Sequence, residues 1–98
     1  MGQSLHSAQW LIDSRLAKAA AGDLNACFDL GIAYASGGDG VDVDLIQAHK
    51  WFNLAAIGGS ERAQAWRAEV ADEMSAREIV EAQRQARAWL QLTTRQAA

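Results

Sequence analysis

The sequence predicts an all-α fold, a short α-solenoid of about five antiparallel helices in a single domain of 98 residues. Three observations carry this expectation. Apolar residues recur at 3-4 spacing through five segments, the period of a helix with one buried face. Glycine closes the first three segments at Gly22, Gly37-Gly38 and Gly58-Gly59, and Asp23, Asp42 or Asp44, and Ser60 stand ready to open the next. Glycine favours helix ends, and short polar side chains favour helix starts. Finally, part of the chain repeats at an offset of 37: Gly22 falls on Gly59, Asn25 on Arg62, Ala26 on Ala63 and Asp29 on Trp66. Such periods mark stacked helical units, and a degraded terminal copy is the usual form of a cap. The second copy is partial, since Gly31 falls on Ala68 and Tyr34 on Ala71.

The first helix is expected over 7–21, with Ala8, Leu11, Ile12, Leu16 and Ala19 on its apolar face. The second spans 24–36, between Asp23 and the glycine pair. The third spans 43–57, its start near Asp42 or Asp44 placing negative charge at the positive end of the helix dipole. The fourth, over 61–73, follows Ser60. The fifth has the clearest start: Ser75 and Glu78 form an S-x-x-E capping box, with Met74 and Ile79 placed to close over it. This helix turns Ile79, Ala82, Ala86 and Trp89 or Leu90 inward, and Arg77, Glu81, Arg84 and Gln91 outward. Residues 93–98 are expected to fray. Proline is absent, so nothing breaks a helix interior.

Half of the chain is hydrophobic, but 21 residues are alanine, so the apolar area per residue is low. Stability must then come from close helix approach. Ala26, Gly31, Ala48, Ala55 and Ala56 each stand near an aromatic or a leucine that can fill the remaining gap. Trp10, Trp51 and Trp89 fall on apolar stripes and are expected in the core.

A net charge of −3 without a basic stripe argues against a nucleic-acid partner. No apolar run reaches the roughly 18 residues of a membrane span, and the start MGQSLHSAQW lacks the pattern of a secretory leader. Cys27 is the only cysteine, so no internal disulfide forms and a cytoplasmic location is expected.

Catalytic, metal and cofactor chemistry finds little support. His6 and His49 lie on different helices, without carboxylates or cysteines at ligand spacing, and His49 is expected at the solvent edge of the third helix. Cys27 has no basic neighbour to activate it and is expected to pack. The turn Gly37–Gly40 lacks the G-K-[ST] of a phosphate loop, and Asp39, Asp42 and Asp44 lack EF-hand spacing. No cluster of titratable groups converges, so the chain is not expected to be an enzyme, and no cofactor is expected.

Residues Ala26, Leu30, Gly31, Tyr34, Gly38, Gly40, Val41, Asp44, Ala48, Trp51, Ala55 and Ala56 resemble the Sel-one-like repeat (SLR) pattern. That pattern is A-x-x-x-L-G-x-x-Y, a glycine turn, then a valine, an aspartate and A-x-x-W-x-x-x-A-A. The segment MSAREIVEAQRQARAWL is similar to the terminal helix of bacterial members, with Ala76 where proline is common. The resemblance covers about residues 19–91 and implies a repeat core at 22–58, then a partial repeat with a capping helix at 59–92. It implies a noncovalent protein-protein interaction module, a scaffold or adaptor, the alternative being a dedicated regulator or inhibitor subunit of one enzyme. An unpaired first helix leaves a homodimer open.

The candidate partner-binding strip is Asn25, Asp29, Arg62 and Trp66. Each i, i+4 pair shares one helix face, and first helices of stacked pairs line the concave side. Tryptophan beside arginine is the composition of a binding hot spot. The alternative places Trp66 against the fifth helix or a second molecule.

Overall fold

The computed structural model describes the backbone of residues 2–97 and the side chains of residues 9–94. It contains five helices, α1 (Gly2–Ala20), α2 (Leu24–Ser36), α3 (Leu45–Ile57), α4 (Glu61–Ala71) and α5 (Ala76–Ala97), and no strand among the described residues. The all-α class therefore stands. Helix α3 is the centre: α2, α4 and α5 all pack against it, while α1 packs against α2.

The central place of α3 follows from its residues. Ala48, His49, Trp51, Phe52, Leu54, Ala55 and Ala56 are all buried, so the helix has almost no solvent face. Its closest neighbour approaches through Gly31 of α2. A Cβ there would lie 2.5 Å from the Phe52 ring, well inside van der Waals contact. The ring of Phe52 thus fills the space a side chain at residue 31 would need, and Phe52 is fully sealed.

The helix junctions repeat at the offset of 37. At the end of α1, Asp23 N–H donates to Lys18 O (3.0 Å) and Gly22 N–H to Ala19 O (3.0 Å). At the end of α3, Ser60 N–H donates to Ala55 O (3.1 Å) and Gly59 N–H to Ala56 O (3.0 Å). Both are Schellman closures, with Gly22 at φ +96° and Gly59 at φ +109°, a region glycine enters without penalty. The next residue then caps the following helix. Asp23 accepts from Asn25 N–H and Ala26 N–H, and Ser60 accepts from Ala63 N–H. The capping box of α5 is formed too, Ser75 N–H donating to Glu78 Oε1 (2.9 Å) and Glu78 N–H to Ser75 Oγ (3.2 Å).

Four expectations are corrected. Helix α1 begins at Gly2 rather than residue 7. Helix α3 begins at Leu45, because Asp44 is its extended N-cap and accepts from Gln47 N–H. Helix α5 continues to Ala97, through residues 93–97; residue 98 lies outside the described residues. Along this end of α5, Leu90, Thr93 and Thr94 line a cleft of about 290 Å³ with Ala19–Gly22 at the end of α1. Trp10 is 67 % exposed rather than buried. Helix α1 has mainly α2 to pack against, and it commits Ile12, Leu16 and Ala19 to that contact. Of the two alternatives on α5, Trp89 packs inward, edge-on to Trp51, and Leu90 stays at the rim.

Candidate partner-binding surface

Two of the four strip residues, Arg62 and Trp66, meet on α2 and α3. One turn apart on α4, they reach back over Phe28. The Arg62 guanidinium stands 3.8 Å from the Phe28 ring centroid, and Trp66 is edge-on to the same ring at 6.4 Å. Trp66 also stacks on Phe52 at 5.9 Å, with 26° between ring planes, and Phe28 tilts against Phe52 at 5.5 Å. The three rings form one cluster with graded burial: Phe52 sealed, Phe28 7 % exposed and Trp66 39 % exposed. Trp66 is both a lid on the core and an open aromatic face. Such a half-sunk ring is held rigid at little entropic cost to a binding partner.

Asn25 and Asp29 go elsewhere. Both are exposed on α2 and line a cleft of about 340 Å³ between α1 and α2, which Trp10, Arg15 and Lys18 border from α1. Among the described residues no hydrogen bond or ion pair joins Asn25 or Asp29 to Arg62 or Trp66. The link between the pairs is Phe28, adjacent to Asp29 in sequence and covered by Arg62. Sequence reasoning passed over Phe28. The available signal was its place between two small buried residues, Cys27 and Gly31, which marks the face of α2 turned to a neighbouring helix.

The candidate chemical groups have structural employment. His49 is buried at 4 % exposure, not at the solvent edge as the spacing suggested, because α3 is packed on so many sides. Its Nδ1 has no hydrogen-bond partner among the described residues, and burial, with the Arg67 charge nearby, lowers its pKa. Arg67 itself donates to Asn53 Oδ1 at 2.6 Å. The Cys27 thiol is buried, and desolvation with the Asp23 charge pushes its pKa up to about 11, so the reactive thiolate is suppressed. Asp39 pairs with Arg15, tying the turn after α2 to α1. Among the described residues no group of three or more His, Cys, Asp or Glu side chains gathers as a metal site. The side chain of His6 lies outside the described residues. Nor is any described helix long and apolar enough to cross a membrane.

No protein-family model, curated protein or solved structure matches the chain.

Proposed function

We propose that the chain is a noncovalent protein-recognition module, a scaffold or adaptor of the Sel-one-like repeat type. In this reading α2–α3 and α4–α5 are successive helical units of a short solenoid, and α1 takes the place of the second helix of a preceding unit. The recurrence of the Schellman-plus-cap junction at Gly22-Asp23 and Gly59-Ser60 supports the repeat. So does the glycine-on-aromatic contact of Gly31 with Phe52, since the two helices of one such unit must approach closely. The partner is another protein or a peptide, and a lone buried thiol suits a reducing cytoplasm.

The observation that carries the proposal is the Trp66–Arg62 pair seated on Phe28. An arginine over Phe28 and a tryptophan 39 % exposed against Phe28 and Phe52 form a rigid, amphipathic contact surface. Aromatic and arginine side chains of this kind dominate measured binding energies. The α1–α2 cleft, with exposed Trp10 and Asp29 at its edges, extends the surface available on α2.

The test is affinity capture from the native cell with the full chain, its Arg62→Gln variant and its Trp66→Ala variant. Arg62 is exposed, so its replacement should leave the fold intact while weakening partner binding by about 1–2 kcal/mol. Trp66→Ala should weaken binding by about 2 kcal/mol or more. Partners retained equally by both variants would place recognition away from this surface.

A further inference from the structure

A second aromatic cluster lies between α3 and α5, away from Trp66. Trp51 and Trp89 meet edge-to-face at 4.9 Å, with 75° between their planes. The Lys50 ammonium sits 4.6 Å from the Trp51 ring centroid and 5.4 Å from that of Trp89. A relay fixes the Trp51 indole: its Nε1–H donates to Gln47 Oε1, Gln47 Nε2 to Gln85 Oε1, and Gln85 Nε2 to Glu81. Glu81 also receives two bonds from Arg84, so its carboxylate is already committed.

Lys50 is half-buried and belongs to neither ion pair found among the described residues, Arg15–Asp39 and Arg84–Glu81. Burial lowers its pKa, as expected of an ammonium that has lost water without gaining a counter-charge. Two indole faces supply part of the missing stabilisation but not an opposite charge. The ammonium opens on a groove of about 260 Å³ lined by Lys50, Arg84, Gln85, Ala88, Trp89 and Leu92. Both charged groups on that lining are cations, on a chain of net charge −3. The rest of the lining is largely apolar, with Leu92 55 % exposed at one end.

We propose that the α3–α5 groove binds an acidic segment of a partner protein. One Asp or Glu carboxylate pairs with Lys50 beside Arg84, and a neighbouring apolar side chain lies over Trp89 and Leu92. Charge complementarity selects this occupant: a single carboxylate satisfies the unpaired ammonium, and the apolar lining needs a hydrophobic companion. A polyphosphate strand is a poorer match, since two cations, one already paired, leave most of its charge uncompensated. The groove is separate from the Trp66 surface, because Trp51 and Phe52 take adjacent positions on α3 and join different clusters.

Selection of a displayed random-peptide library on the full chain tests the proposal, with Lys50→Gln and Lys50→Arg variants measured by fluorescence titration. Recovered peptides should place Asp or Glu next to Leu, Ile or Phe. Their affinity should drop about tenfold in Lys50→Gln, persist in Lys50→Arg, and weaken as salt is added. If Lys50→Gln melts early by circular dichroism, the exposed replacements Arg84→Gln and Leu92→Ala should show the loss instead. Recovered peptides without carboxylates, no recovered peptide, binding that survives all three groove variants, or stronger binding to anionic vesicles or oligonucleotides would each overturn it.

Discussion

At residue 31 the backbone of α2 comes close enough to α3 that only hydrogen fits beneath the Phe52 ring. Replacing Gly31 by leucine should therefore lower stability by about 3 kcal/mol, because Phe52 is sealed and has nowhere to move. Urea unfolding followed by circular dichroism would show this, and an unchanged midpoint would mean the helices can part without loss. His49 predicts a pH effect. Its folded pKa lies below the ordinary value, so the fold favours the neutral ring. As pH falls through about 6.5, the unfolded chain takes up a proton that the folded chain resists, and stability declines. Comparing urea midpoints at pH 7.5 and 5.5 should reveal that decline, and His49→Leu should flatten it. Trp66→Ala should lower stability by about 2 kcal/mol, less than a fully buried tryptophan, because it uncovers Phe28 and Phe52.

Within single helices the sequence was most legible where the determinants are local. Ser75 and Glu78 announce their capping box across one turn, and both predicted bonds are present. Ser75→Ala should lower stability by about 1 kcal/mol, read as a shift in the melting temperature. The terminal extent of α5 was not legible. Its polar end, Thr93-Thr94, lines a cleft with the last turn of α1, a neighbour that no spacing within α5 reveals. Trp10 failed for the converse reason. Its place on an apolar stripe was visible, but the absence of a helix to cover that stripe was not. His49 belongs with these, since a face that looks peripheral on one helix is buried when three helices surround it.

At the scale of the molecule, the helical class and the small-residue contacts could be read from the chain, because they follow from period and from residue size. The exposure of Trp66 was also anticipated, through its coincidence with Asp29 at the offset of 37. What the offset could not supply was the distance between α2 and α4, and hence the seating of Arg62 and Trp66 on Phe28. The gathering of α2, α4 and α5 onto α3, with α1 attached chiefly through α2, has a further consequence. Resistance to local opening should fall from the centre outward, since an amide is released when the packing over its own helix lets go. In native-state hydrogen–deuterium exchange, the amides of Trp51–Ala55 should be the last to exchange and those of α1 among the first. Deuterium entering α1 and α3 at the same rate would show instead that the five helices open as one cooperative unit.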